Sequence, residues 1–413
     1  MSAPLPPSTR KIQVHTLSHN FREATRIISA PLPSSLSGDQ VLVRNHFVGI
    51  NASDINFTAG KYTPGVKPPF DAGFESIGIV EAVGPAVAAA AAEAGASGTA
   101  AGGSIRVGQA VAATSYGAFS EYQIFRARTL LPLPNVDPQY LPLLVSGLTA
   151  SIALEQTGEM KIVGVKGAKQ ETVLVTAAAG ATGLFAVQLA KLAGHHVVAT
   201  CSSEDKVAVL RSLGADRVVN YRTESLSAVL KKEYPRGVDI VYESVGGEMF
   251  MDCVRNLAVK GRCIVIGFVS GYQDGSAWKA TNPAAAAATK EAGGGSKGSA
   301  ASSSAPAAPT AAAPKPSPPL PALILGKSAS IRGFFLNDYG PEFKRHMSLL
   351  TRLIREGKLR SIVDGGREFQ GLEQVADAIE YLYKGSNVGK IVVDLAPELH
   401  KDGSKQQQMK SKL

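Results

Sequence analysis

A turn of small residues follows the apolar run at 172–176 and could bind a phosphate. The segment TVLVTAAAGATGLF places Ala178, Gly180 and Gly183 directly before a helical pattern. This is the G-x-G-x-x-G spacing of a dinucleotide-binding turn, with alanine at its first position. Gly180 would let the backbone approach a pyrophosphate, and Gly183 would let the helix pack closely on the strand. The start of the helix would offer unpaired N–H groups to the anion, so the spacing predicts a dinucleotide site here.

The end of the next apolar run indicates which dinucleotide is bound. An acidic residue there would accept a hydrogen bond from a free ribose 2′-hydroxyl. The run at 196–200 is instead followed by Ser202 and, one helical turn farther on, by Lys206. Hydroxyls and a cation suit a 2′-phosphate, and the pattern therefore favours NADPH. Glu204 and Asp205 offer the competing interpretation, but acids at a helix start more often serve as capping residues.

The elements around these residues alternate between strand-like and helix-like runs from about residue 149. Such alternation is typical of a parallel α/β sheet. The preceding part has short strand-like runs, such as 40–48, that are separated by Gly and Pro. The sequence therefore predicts an α/β fold with a β-rich domain and a doubly wound Rossmann domain. The predicted divisions are 1–148 for the first domain, 149–336 for the second, 337–400 for a part that returns to the first, and 401–413 for a polar tail.

Two low-complexity segments interrupt this pattern. Between Pro85 and Gly103 the chain is mostly Ala, and we expect a surface loop there, although the Ala content permits a short helix. Residues 276–321 are rich in Ala, Gly, Ser and Pro and carry too little apolar surface to fold, which predicts a disordered insertion. The last strand of the parallel sheet would then lie within 323–333.

Composition excludes several classes of protein. Of the 413 residues, 45% are hydrophobic, which is typical of a globular chain. The net charge is +9, but Lys and Arg are scattered and no nucleic-acid motif accompanies them, so we expect no nucleic-acid partner. No long apolar run has the density of a membrane span. The three Cys lack the spacing of a disulfide framework or a structural zinc site.

Longer motifs extend the pattern beyond the phosphate turn. They make the sequence similar to the medium-chain dehydrogenase/reductases of the quinone oxidoreductase branch, including the prostaglandin reductases. The resemblance covers residues 15–400 apart from the low-complexity segments, and it implies a GroES-like catalytic domain beside a Rossmann NADPH-binding domain. It also implies a homodimer that extends the sheet near 323–336. The motifs are AAAGATG at 177–183, VGINASDIN at 48–56, YESVGG at 242–247, GFVSGYQ at 267–273 and GFFLN at 333–337.

Zinc-dependent members of that family need a Cys in the first site loop and a His in a Gly-His-Glu motif. In this chain Asn51 stands at the first position and Phe74 at the second. A catalytic zinc needs about three N, S or O ligands from the protein. The sequence therefore predicts a site without metal.

The resemblance then implies hydride addition to a conjugated enone, as in reduction of the C13–C14 double bond of 15-oxo-prostaglandins. Tyr272 matches the tyrosine that these reductases place near the nicotinamide and the substrate carbonyl, where it could donate to the developing enolate. Alternatively, Tyr272 only packs on the cofactor and a ribose hydroxyl donates. Asn51 is either a second catalytic residue, as an amide partner of nicotinamide or substrate, or a turn-forming residue. The other implied cofactor contacts are Thr182, Ser202, Lys206, Tyr221, Ser244, Ile266, Tyr272, Phe334, Phe335, Leu336 and Asn387, with Lys390 as a weaker candidate.

Two other functions stay open at this point. One is a quinone or general enone oxidoreductase, and the other is a non-catalytic NADPH-binding protein. The tripeptide Ser411-Lys412-Leu413 is the address that a peroxisomal import receptor reads. We therefore expect a peroxisomal protein whose substrate is a small lipid enone.

Overall fold

The computed structural model describes residues 5–96, 105–162, 169–278 and 318–400. The strands are β1 Ser8–Val14, β2 Thr25–Pro31, β3 Gln40–Gly49, β4 Phe70–Asp71, β5 Glu75–Val83, β6 Ala110–Thr114, β7 Tyr122–Arg126, β8 Leu131–Pro132, β9 Thr172–Val175, β10 His196–Cys201, β11 Arg217–Asn220, β12 Val238–Glu243, β13 Leu257–Val265, β14 Ser330–Gly333, β15 Phe369–Gln370 and β16 Val392–Asp394. The α-helices are α1 Phe21–Ala24, α2 Asp54–Thr58, α3 Pro85–Ala96, α4 Val145–Ile152, α5 Ala181–Leu192, α6 Glu204–Ser212, α7 Leu226–Glu233, α8 Gly247–Arg255, α9 Leu320–Leu325, α10 Phe343–Arg355 and α11 Val375–Tyr383. Short 3-10 turns lie at Ala127–Thr129, Pro138–Leu143, Val269–Gly271, Ser276–Trp278, Leu336–Glu342 and Leu372–Gln374, and a π-helical turn lies at Ala153–Thr157.

A parallel sheet forms the centre of the second half of the chain. Its order is β11-β10-β9-β12-β13-β14, and each neighbouring pair is parallel. Side chains of β9 alternate between its two faces: Val173 and Val175 pack in one core cluster with α5 and α6, and Leu174 packs in another with α7 and α8. Helices therefore cover both faces, and the strand order is that of a doubly wound dinucleotide-binding domain, as predicted.

A second, largely antiparallel sheet is built from the first part of the chain. Its order is β15-β16-β3-β5-β6-β8, with β7 also paired to β3, and a small sheet β2-β1-β4 lies apart from it. Strand β16 near the end of the chain pairs antiparallel with β3, where Val393 is opposite Val48. This pairing brings the C-terminal segment back to the first sheet.

One backbone contact joins the C-terminal segment to the phosphate turn. Gly389 N–H donates to Ala179 O at 2.9 Å, and Gly180 forms an isolated parallel bridge with Gly389. The segment that precedes β16 therefore lies directly beside the corner that sequence analysis assigned to a pyrophosphate.

Three sequence-based expectations need correction or narrower bounds. The segment after Pro85 is not a loop at its start, because Pro85–Ala96 forms α3; Ala is the strongest helix former and the run is nearly all Ala. The last strand of the parallel sheet does lie within the predicted 323–333, but β14 occupies only Ser330–Gly333, because Leu320–Leu325 forms α9. The predicted insertion at 276–321 is too wide, since Ser276–Trp278 and Leu320–Leu325 are both helical. Residues 279–317 and the predicted tail at 401–413 lie outside the described residues.

Among the described residues, no helix has both the length and the apolar character that crossing a bilayer requires.

Candidate functional site

A cleft with a volume of about 780 Å³ lies between the two larger sheets. Its parallel-sheet side is formed by residues that follow the carboxyl ends of the strands, which is where ligands bind in such sheets. All the residues predicted to contact a cofactor line it except Gly183, which lies behind the wall. The lining residues include Asn51, Tyr62, Gly180, Thr182, Ser202, Lys206, Tyr221, Ser244, Ile266, Tyr272, Phe334, Phe335, Leu336, Asn387 and Lys390.

The phosphate turn has the geometry that its small residues predict. A Cβ on Gly180 would meet only Ala177 O, at 3.2 Å, so the side facing the cleft is open. A Cβ on Gly183 would lie 2.7 Å from backbone atoms of Ala177 and Ala178, so glycine is needed for close packing of α5 on β9. The tight bend is made by Ala177, whose φ of 46° lies in the left-handed region, and not by Ala178.

Thr182 uses its side chain within the protein. Its hydroxyl donates to Ser146 O at 3.1 Å and therefore accepts from the Tyr242 hydroxyl at 2.9 Å. The first N–H groups of a helix have no partner within it. Any contact of Thr182 with a diphosphate would therefore come from its backbone N–H.

Two buried hydroxyls on this wall lack partners. Ser244 Oγ and Thr200 Oγ1 make no hydrogen bond within the described part of the chain, and both residues line the cleft. Buried polar atoms are nearly always hydrogen-bonded. These two orphaned atoms fit a polar ligand, such as a nucleotide, that would supply the missing partners.

The charges along the cleft favour an anion. Lys206 lies at the predicted 2′-phosphate position, where its Nζ donates to Gly385 O at 2.6 Å and burial lowers its pKa. Glu204 is turned to Asn220, whose amide donates to Glu204 Oε1 at 2.7 Å. Of the described residues that line the cleft, none is acidic. The competing assignment of Glu204 or Asp205 to a ribose hydroxyl is thus not supported by the geometry.

Tyr272 lies at the other end of the cleft. Its hydroxyl accepts from Phe268 N–H at 3.2 Å, and the pKa of its phenol is raised by burial. Tyr272 is therefore a neutral hydroxyl group at physiological pH, with one of its oxygen lone pairs held by the backbone. Tyr62, which sequence analysis did not single out, also lines the cleft, and its hydroxyl accepts from Asn56 Nδ2 at 3.2 Å.

The predicted cofactor wall beyond β13 and β14 divides into two parts. Phe335 is 40% exposed and faces the cleft, and its ring lies 5.4 Å from that of Tyr62. Phe334 is buried and stacks on Tyr339 with ring centroids 4.7 Å apart, so most of its surface contributes to the core. Asn387 donates its amide to Gly389 O at 3.0 Å and so stabilises the turn beside the phosphate corner.

A buried ion pair explains the environment of Asn51. Lys390 Nζ contacts Glu75 Oε1 and donates to Asn51 Oδ1 at 2.7 Å, and all three side chains are buried. Asn51 Nδ2 donates to Glu75 Oε1 at 3.0 Å and to Gly49 O at 3.3 Å. Both the amide nitrogen and the amide oxygen of Asn51 are thus engaged within the protein, which favours the turn-forming alternative over a role as amide partner of nicotinamide or substrate. The turn that follows is stabilised by Asp54, whose Oδ2 accepts from Asn51 N–H at 2.8 Å.

Asp54 itself has an unusual carboxyl group. It is almost fully buried, and its Oδ1 makes no hydrogen bond within the described residues. Burial raises its pKa to about 8, although the Asn51 N–H and the Lys390 charge oppose the shift. The neutral acid is therefore the favoured form near neutral pH.

Comparison with known proteins agrees with this architecture. Residues 37–135 match the family model described as the alcohol dehydrogenase GroES-like domain, and residues 181–291 match the one described as zinc-binding dehydrogenase. A Bos taurus protein named prostaglandin reductase-3 is 46% identical over 402 residues, which are 96% of this chain and 92% of that protein. The chain belongs to the quinone oxidoreductase branch of the medium-chain dehydrogenase/reductase family.

Two further medium-chain dehydrogenase/reductases show the breadth of the likeness. A Leishmania amazonensis protein named probable quinone oxidoreductase is 38% identical over 94% of this chain and 99% of its own length. The structure of Escherichia coli quinone oxidoreductase complexed with NADPH has a TM-score of 0.69 at 23% identity, and it covers 94% of this chain and 100% of that one. The predicted fold class and family are therefore confirmed.

The residues present do not fit the zinc ion that one of these family descriptions implies. Phe74 has no ligand atom, and the amide of Asn51 is committed to Lys390 and Glu75. The Lys390 ammonium group contacts both Asn51 and Glu75. Its positive charge would repel a metal cation placed between those two side chains. No three His, Cys, Asp or Glu side chains of the described ranges are grouped so as to hold a metal ion.

Sequence reasoning missed two members of this site, Glu75 and Tyr62. Glu75 follows Phe74 in the motif that was examined for zinc ligands, yet its pairing with Lys390 joins segments that are far apart in the chain. Charge could have identified Glu75, because a lone Glu at the start of an apolar strand needs a buried cation. Tyr62 lies in a loop without regular structure, and no spacing rule connects it to Tyr272.

Proposed function

We propose that this chain is an NADPH-dependent reductase of conjugated enones, and that it reduces the C13–C14 double bond of 15-oxo-prostaglandins. The observation that carries the proposal is the buried, neutral hydroxyl of Tyr272 on the wall of a cleft whose opposite end suits a phosphorylated dinucleotide. The identity of 46% to a relative named prostaglandin reductase-3 supports the substrate class.

The residues present fit NADPH at the open side of Gly180, at the orphaned hydroxyls of Ser244 and Thr200, and at Lys206. NADPH supplies a hydride when it is bound. The protein contributes by holding NADPH and the enone in a reactive orientation and by excluding water. Fixing the orientation of the two molecules removes much of the entropic barrier to reaction.

Tyr272 then provides the polar group that the reaction needs. Reduction at the β-carbon of an enone places negative charge on its carbonyl oxygen. A positioned O–H donor in a water-poor cleft stabilises that charge more strongly than water does. Because burial raises the pKa of Tyr272, the phenol keeps its proton and can donate it.

The apolar part of the cleft suits a lipid. Phe335, Leu336 and Val269 line the wall near Tyr272, and they offer carbon surface to an acyl chain. A carboxylate at the far end of such a substrate would meet no acidic residue of the described cleft lining.

The decisive assay follows NADPH oxidation with 15-oxo-prostaglandin E2 and with a quinone in parallel. We expect faster turnover of the prostaglandin. Faster turnover of quinones would favour the alternative that the Leishmania relative suggests, a quinone or general enone oxidoreductase. Tight NADPH binding with no turnover of any acceptor would favour a non-catalytic NADPH-binding protein.

The proposed reaction proceeds without metal. The Lys390 ammonium group already supplies positive charge beside Asn51. Purified protein should therefore carry far less than one zinc per chain by elemental analysis, and a chelator should leave kcat unchanged. Stoichiometric zinc together with chelator inhibition would refute a metal-free reaction.

Localisation and assembly stay predictions. Ser411-Lys412-Leu413 lies outside the described residues, and we propose delivery to peroxisomes through an import receptor. A fluorescent fusion that preserves this terminus should co-localise with peroxisomes, and removal of Leu413 should abolish that pattern. Strand β14 is an edge of the parallel sheet, and light scattering would test the predicted homodimer.

A further inference from the structure

Trp278, the single tryptophan of the chain, is 40% exposed and does not line the cleft. Trp278 Nε1 donates to Asn56 Oδ1 at 3.2 Å. Its ring lies edge-on to Phe268 at 5.3 Å and to Tyr62 at 6.3 Å. The indole therefore contacts, by packing and by one hydrogen bond, residues that surround the Tyr272 hydroxyl without itself touching the cleft.

The indole fixes the orientation of the Asn56 amide. An indole N–H can only donate, so the amide atom that faces it must be the oxygen. The amide nitrogen then faces the other way, and Asn56 Nδ2 donates to the Tyr62 hydroxyl at 3.2 Å. Asn56 is fully buried, so no water is at hand to support the flipped amide.

This orientation determines where the Tyr62 proton points. The Tyr62 oxygen accepts from Asn56, so its own proton is left for an acceptor in the cleft that Tyr62 lines. Burial raises the pKa of both Tyr62 and Tyr272, so each phenol keeps its proton. Tyr272 also accepts from Phe268 N–H, so its own proton is left for a group in the cleft.

We propose that Trp278 and Asn56 are positioning residues, which orient the Tyr62 hydroxyl so that its proton, like that of Tyr272, is available to the substrate carbonyl in the cleft. This inference rests on the proposed enone reduction, because it specifies how a second donor for that reaction is aligned. Hydrogen bonds that run in one direction polarise each other, so loss of the first donor weakens the last. Trp278 thereby acts on the reaction through two intervening side chains.

Kinetics of two variants at one position test the role of the indole N–H. Trp278→Phe retains an aromatic ring between Phe268 and Tyr62 but removes the donor, whereas Trp278→Leu removes both. We expect Trp278→Phe to lower kcat for an enone by about 2- to 10-fold, the equivalent of one hydrogen bond, with KM for NADPH unchanged. Full kcat in Trp278→Phe with loss only in Trp278→Leu would show that packing alone matters and would overturn the proposal.

A spectroscopic measurement tests the same chain of hydrogen bonds without turnover. Because the protein has one tryptophan, a ¹⁵N-labelled sample gives one indole N–H resonance. Tyr62→Phe keeps the ring and removes only the hydroxyl, and it should shift that resonance, as should Asn56→Ala. Tyr221→Phe, which removes a distant exposed hydroxyl, is the matched control and should leave it in place.

The two readouts separate the inference from the proposed function. If the wild-type protein reduces no enone, the proposed function fails, and the resonance still reports whether the hydrogen bonds are coupled. An indole signal that Tyr62→Phe leaves unmoved would overturn the positioning role even in an active enzyme.

Discussion

Lys390 donates to the amide oxygen of Asn51 at 2.7 Å, although 339 residues separate the two along the chain. The same ammonium group is paired with Glu75, and neither charge is accessible to solvent. Gly49 makes room for the pair, since a Cβ there would lie 2.7 Å from Lys390 Cε. The first loop of the antiparallel sheet and the last strand of the chain thus meet around one buried cation.

Removal of either member of this ion pair should destabilise the fold. Lys390→Met leaves a buried carboxylate and Glu75→Gln leaves a buried ammonium group, and each loss should cost about 3–5 kcal/mol in the free energy of unfolding. Chemical denaturation of the purified variants measures this cost.

The double variant is the control for that prediction. With both charges gone, Glu75→Gln with Lys390→Met should be less destabilised than the sum of the single changes. Strict additivity would mean that the two side chains contribute independently and that the ion pair is not the reason for the effect.

Tyr272→Phe should lower kcat while it leaves NADPH affinity near that of the wild type. The variant keeps the ring that fills this corner and loses only the donor to the enolate oxygen. Removal of one such donor typically costs about 10²–10³ in kcat. Steady-state kinetics with a 15-oxo-prostaglandin measure the change, and an unaltered kcat would assign the donor role to another group, such as the ribose hydroxyl.

Lys206→Ala should discriminate between the two nicotinamide cofactors. The ammonium group lies where a 2′-phosphate would bind, and a charge-assisted hydrogen bond is worth about 1.5–3 kcal/mol, or roughly 10- to 150-fold in Kd. NADPH should therefore lose affinity far more than NADH in a fluorescence titration. Equal losses for both would place Lys206 in a purely structural contact with Gly385.

Asp54→Asn should change how stability depends on pH. The folded-state pKa of about 8 lies above the value near 4 of an unfolded carboxyl, so the folded state holds a proton that the unfolded state has lost between those limits. Stability from this group is complete below about pH 4 and falls as pH rises to about 8. The amide variant imitates the neutral acid, so its Tm relative to the wild type should rise steadily over that interval.

The wild-type protein, measured at the same pH values, is the reference for this experiment. A Tm difference between Asp54→Asn and the wild type that stays level across the interval would mean that the Asp54 carboxyl is charged in the folded protein.

Local patterns were enough to predict much of the parallel sheet. β9 and β10 lie at the apolar runs 172–176 and 196–200 that the sequence shows, and the glycine corner has the predicted shape because small residues and a following helix leave few alternatives. At Pro85–Ala96 the preferred prediction of a loop was wrong and the alternative of a short helix was right, because low complexity was given more weight than the helix propensity of Ala.

Long-range pairing explains the remaining errors at the site. The role of Asn51 depends on Lys390, and the orientation of the Tyr62 hydroxyl depends on Asn56 and Trp278, and none of these contacts follows a local periodicity. A hydrogen-bond donor looks free in a sequence until its distant acceptor is located. Motif matching therefore identified which residues reach the cleft, but not which of them still have atoms to offer a ligand.

The backbone contact between Gly389 and Ala179 is one of several that join the C-terminal segment to the parallel-sheet domain, and the contact of Lys206 Nζ with Gly385 O is another. A nucleotide bound at that corner would touch both parts of the chain at once. Separation of the two parts would then require the nucleotide to leave, so we expect release of the oxidised coenzyme to accompany opening of the cleft.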